Sequence, residues 1–251
     1  MSLWRLEWLR LTRTKRWIAL VGVYLFFGLL GPFTARYMAE IISFAGGELE
    51  GATIELPPPV PADGMIQYVS SVTQIGTLVA VVVAAGSVAF DAIPEMGVFL
   101  RTRVRDLSRI LTPRVVVVTT ALLASFLIGA LAAWYETRVL IGPLDAGSVV
   151  IGSALSMLYL VFVVALVTAV AQRARTVIGT VMVSILILLL LPIFGISEAV
   201  GRWLPSHLAS SLAALSAGEA AADYLPAAAV TVVVTAGLWW LALELARRRE
   251  L

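Results

Sequence analysis

Six runs of about twenty apolar residues constrain this chain more than any other feature, because each can cross the ~30 Å hydrocarbon core of a bilayer as a helix. They lie at about Trp17–Phe33, Tyr68–Phe90, Val115–Tyr135, Ser148–Ala171, Val177–Ile196 and Ala227–Ala246. In lipid every backbone N–H and C=O must be satisfied within the segment, so the expected fold is all-α. Residues 1–251 then form a single polytopic transmembrane domain of six helices. Charged residues make up only 14% of the chain, against about a quarter in soluble domains. The fifth run alone holds fourteen Leu, Ile, Val or Phe residues, which favour insertion by about 4–8 kcal/mol. The first run is too long for the apolar core of a cleaved signal peptide, and further spans follow it.

Charge orients the bundle. Fifteen of the eighteen basic residues fall in the N-terminal flank, the gap between spans two and three, the turn between spans four and five, and the C-terminus. The opposite side carries only Arg36, Arg138 and Arg202, against ten acidic residues. The positive-inside rule therefore predicts a protein of the cytoplasmic membrane with both termini in the cytoplasm. Trp134, Tyr135 and Tyr224 suit an outer aromatic belt, and Trp17 an inner one.

Two amphipathic stretches stand out on the basic side. In residues 1–16, Trp4, Trp8 and Leu11 share a face while Arg5, Arg10, Arg13, Lys15 and Arg16 supply charge, as expected of a helix lying in the membrane interface. A plain basic flank to the first span is the simpler alternative. The second stretch runs from Asp91 to Arg114. At 100° per residue, Met96, Leu100, Val104, Leu107 and Leu111 form one stripe, with Arg101, Arg105 and Arg109 opposite. Such a helix docks on a partner or lies on the membrane; a solvated loop whose arginines set topology or hold anionic lipid is the alternative.

Several chemistries are missing. The sole lysine, Lys15, follows Arg13 and Thr14 rather than a glycine-rich turn, so the chain carries no phosphate-cradling loop and is not expected to hydrolyse ATP. No cysteine is present, and the single histidine, His207, lies in a connecting segment; no metal site is expected. No ionisable residue stands near the centre of any span, which weakens an ion-coupled secondary transporter. Nothing in the charge pattern implies nucleic acid. What the spans hold is neutral: Ser70, Thr73, Gln74 and Thr77 in span two, a candidate translocation surface, and Gly152 with Ser156 in span four at small-xxx-small spacing. Ordinary helix packing is the bland reading of both. Beyond span five, Pro205 is placed to open a short helix continued by 206–215, re-entrant or interfacial, with a surface loop equally allowed.

Together these features resemble the ABC-2 type permeases, the membrane subunits of type V ABC exporters. Six spans, an interfacial helix and an amphipathic loop between spans two and three carry the likeness. Glu95, Met96 and Gly97 match the acid and glycine of the family's loop, Val104 its valine, and Arg114 its closing basic residue. Val98 replaces a threonine, Arg103 stands where proline is usual, and the spacing is about one residue off. The basic turn after span four and the Trp203-Leu204-Pro205 helix before span six extend the likeness over nearly the whole chain. The resemblance implies two permease copies, as homodimer or related heterodimer, and two separate ATPase subunits that bind ATP and Mg. It implies export of a hydrophobic or amphipathic solute. Glu95, Gly97, Arg101, Arg105 and Arg109 would belong to the cytoplasmic coupling helix, and Trp203 and Pro205 to the exit helix. A non-transporting six-span assembly or immunity protein is the alternative class.

Overall fold

The computed structural model describes residues 3–45, 57–88, 108–174 and 176–248. Among these residues there are helices and turns but no strand. Six helices are long and apolar enough to span a bilayer: Arg16–Arg36, Pro61–Val88, Ile110–Leu140, Ala146–Ala174, Val177–Phe194 and Ala221–Arg248. The chain is an all-α, multi-pass membrane protein. Below, these helices are spans one to six.

Burial sets their order. The most apolar window of span four is 61% buried, against 11% in each of spans five and six. Span four is therefore the central post, and span six leans on it while scarcely touching span three. Spans one and three form the closest pair. At Gly28 an added Cβ would run into the backbone carbonyl of Gly129, and at Gly129 into the carbonyl of Tyr24, so neither position tolerates a side chain without moving a helix. Tyr24 packs edge-on to Phe126 at 6.0 Å, and the Tyr68 hydroxyl donates to the Phe126 carbonyl at 3.1 Å. Most other buried hydroxyls are satisfied locally. Ser87, Ser125, Thr168 and Thr231 each donate to the carbonyl four residues back in their own helix.

The boundaries differ from those expected. Span two begins at Pro61, not near Tyr68, because Pro61 occupies the first helical turn and the Asp63 carboxylate accepts from the Val60 N–H at 2.8 Å. Residues that look like a turn thus start a helix. Span three runs on to Leu140, carrying Glu136 and Arg138 in its last turns. Among the described residues the N-terminal amphipathic segment is a helix over Leu3–Arg13, so it stops short of the expected residue 16, with Lys15 in the left-handed region (φ 55°) before span one starts at Arg16. Tyr224 is buried against His207 at 4.5 Å, stacked, and does not face a membrane belt.

Candidate functional site

Span two carries the feature with the most chemical content. Its helix is interrupted at Val72–Gly76 by a π turn, which inserts extra backbone and leaves Thr73, Gln74 and Ile75 all exposed in succession. Ser70, one turn earlier, shares that surface and receives a bond from Gln74 Nε2 at 3.4 Å. The π turn is held from behind, where the Tyr24 hydroxyl donates to the Gly76 carbonyl at 3.4 Å. Thr77, expected on the same face, is instead rotated inward and buried, its hydroxyl donating to the Val72 carbonyl at 3.4 Å. Ser70, Thr73 and Gln74 therefore remain a polar face near the middle of span two, and Thr77 leaves it.

That face leads toward the end of the bundle away from the basic residues. Gln67 sits about 10 Å up the helix from Gln74 and lines an open groove of about 350 Å³ between the end of span one and the start of span two. Arg36, Glu40 and Asp63 border this groove. Sequence reading missed Gln67, which stood outside the predicted span.

The end of the bundle away from the basic residues, called outer below in that sense alone, is covered by the segment before span six. Pro205–Ser210 is a 3₁₀ turn and Ser211–Ser216 an α turn, and Pro205, Leu208, Leu212 and Leu215 are buried. The segment packs on span four where Gly152 lacks a side chain: a Cβ there would lie 2.6 Å from Leu212 Cα. Ser211 Oγ lies 3.1 Å from Ser156 Oγ and has two carbonyl acceptors in reach, Leu208 in its own segment at 2.7 Å and Gly152 of span four at 3.2 Å. Gly152 and Ser156 thus serve a close approach, as their spacing predicts, with this short helix as the partner rather than another span. Trp203, at its start, is exposed.

At the basic end, a charged cluster joins three elements. Arg114 Nε donates to Glu7 Oε1 at 2.7 Å, tying the Leu3–Arg13 helix to span three, and both residues are buried. Arg16, at the start of span one, donates to Ser87 Oγ at 3.0 Å near the end of span two. Glu7, Arg10, Arg16, Ser87 and Arg114 leave only about 10 Å³ of open space between them. Leu11 is buried beside Glu7, whereas Trp4 and Trp8 are exposed, so the expected shared face is split between bundle and surroundings. Ser87 and Arg114 bracket the arginine-rich stretch. Glu95, Gly97, Arg101 and Arg105 lie outside the described residues, and only the backbone of Arg109, in the first turn of Ser108–Leu140, is described.

Among the described residues no group of three His, Asp or Glu side chains could hold a metal ion. Comparison with protein-family models, curated proteins and solved structures found no match.

Proposed function

We propose that this chain is the permease subunit of an ATP-driven exporter, with two copies enclosing a passage along span two. The observation that carries this reading is the exposed Ser70–Thr73–Gln74 face at mid-membrane depth. Moving an amide or hydroxyl from water into hydrocarbon without a partner costs roughly 4–8 kcal/mol. Gln74 makes only the long bond to Ser70 among the described residues, so lipid is a poor neighbour for it. A second copy, with a polar passage between the two, satisfies the face. Being neutral, it suits an amphipathic or hydrophobic solute rather than an ion.

The chain has no phosphate cradle of its own, so the energy comes from a separate ATPase. Asp91–Arg109 is the coupling helix on which that ATPase docks, with both termini in the cytoplasm. The Glu7–Arg114 and Arg16–Ser87 contacts then hold the two ends of the coupling segment rigidly against the spans. The test is co-purification of an ATPase carrying a phosphate-binding loop. Arg101→Glu with Arg105→Glu should abolish that association or uncouple hydrolysis from transport. Wild-type ATPase recovery and transport by the doubly reversed chain would overturn the docking role. Labelling of Arg105→Cys by an impermeant thiol reagent outside intact cells would overturn the topology.

A further inference from the structure

Because span six leans mainly on span four, a groove opens on each side of it. One, of about 240 Å³, lies toward span three and is lined by aliphatic side chains with Thr119, Thr120, Thr235 and Trp239; it contains no charge. The other, of about 500 Å³, lies between the basic-end halves of spans four, five and six. Its walls include Val170, Val183, Ile187 and Leu241, and its one charged lining residue is Arg173. Seven residues of span four separate Leu166 from Arg173, so the groove runs about 10 Å along the membrane normal. Arg173 is the penultimate residue of the span four helix, at headgroup depth.

The cation is available. Arg173 is exposed, and no described carboxylate pairs with it. Glu244, the nearest acid along the facing part of span six, is engaged by Arg248 at 2.9 Å. An apolar trough that ends in an unpaired guanidinium at the membrane surface matches an acyl chain joined to a phosphate. Basic pockets between spans on the positive side hold anionic headgroups in this way, and the planar guanidinium fork suits phosphate oxygens. A second copy of the chain would fill the trough with apolar side chains but leave Arg173 without an anion.

We infer that the groove between spans four, five and six is a binding site for an anionic phospholipid, its acyl chain against Val170, Val183 and Ile187 and its phosphate on Arg173.

The full chain, purified in detergent, would be incubated with phosphatidylglycerol or phosphatidylcholine of matched acyl chains, and retained lipid counted by native mass spectrometry. Phosphatidylglycerol should be retained in preference to phosphatidylcholine. Arg173→Ala should weaken that retention about fivefold, the value of one basic residue at an anionic surface, and Arg173→Lys should fall between. Val183→Trp, at a half-exposed position that leaves the core untouched, should fill the trough and displace the lipid. Arg247→Ala, which removes an exposed cation that does not line the groove and leaves the Arg248–Glu244 pair in place, should leave retention unchanged. Equal retention of the two lipids by the unmodified chain would overturn the inference, as would undiminished retention by Arg173→Ala. Efficient cross-linking of Val183→Cys between copies with no lipid bound would also overturn it, assigning the groove to a dimer contact. Each readout is independent of transport.

Discussion

The two ends of the bundle are closed by different physics. At the outer end, a short helix sits on span four through the absence of a side chain at Gly152 and two neutral hydroxyls, Ser156 and Ser211. At the basic end, the closure is a buried ion pair, Glu7 with Arg114, flanked by Arg10 and Arg16. Neutral packing of the first kind is stabilising wherever it is formed. A buried ion pair offsets its own desolvation only when the geometry is kept, so its principal effect is to fix position. The comparison assigns rigid registration to the end that brackets the arginine-rich segment, and simple closure to the other.

The largest expected effect follows from that contrast. Arg114→Met leaves the buried Glu7 carboxylate, among the described residues, with the 3.9 Å contact to Arg10, and should cost about 3–5 kcal/mol in unfolding measurements. Adding Glu7→Leu should recover most of the loss. A double variant as unstable as the single one would show that the pair itself supplies the stability, against this account. At the outer end, Gly152→Leu forces a side chain into Leu212 and should cost about 1–3 kcal/mol. Its signature is local, namely faster hydrogen exchange across Leu208–Leu215 with span four unchanged. Exchange that is already rapid there in the unmodified protein would mean the segment is a plain surface loop.

Smaller effects sharpen the same comparison. Ser211→Ala removes a hydroxyl that lies against Ser156 and the Gly152 carbonyl as well as the Leu208 carbonyl of its own segment, and should cost about 0.6 kcal/mol, the average for hydrogen bonds between membrane helices. A loss several times larger would make the outer closure polar in origin rather than steric. The smallest effect concerns Asp145, whose carboxylate accepts from the Ser148 N–H at 2.7 Å and hydroxyl at 2.9 Å at the start of span four. Those bonds hold its pKa below the ordinary carboxylate range. Its contribution is therefore complete above the unfolded pKa and is lost as pH falls through the lower folded one. Asp145→Asn should remove that acid sensitivity in pH-dependent unfolding, lowering the small neutral-pH stability to the level the unmodified chain shows at low pH.

Much of the fold was legible in the sequence because hydrophobic length is a direct physical requirement of spanning. All six spans follow from it, and the Gly152–Ser156 spacing announces a close contact. The start of span two was not, because proline and aspartate serve a helix N-terminus and a turn equally well. The π turn leaves no periodic signature, since one extra residue shifts the exposed face only locally; Thr77 was misplaced for that reason. Glu7 and Arg114 are 107 residues apart, and nothing in either local pattern names the other.

The central claim is that Gln74 faces a polar passage between two copies, and the cysteine-free chain allows a direct test. Gln74→Cys would be probed in native membranes with a small water-soluble methanethiosulfonate and with a short bifunctional maleimide. Leu186→Cys, on the exposed face of span five, serves as the lipid-facing reference. The account predicts that Gln74→Cys reacts with the aqueous reagent and cross-links into a dimer, while Leu186→Cys does neither. A Gln74→Cys chain that stays as unreactive and monomeric as Leu186→Cys would contradict it.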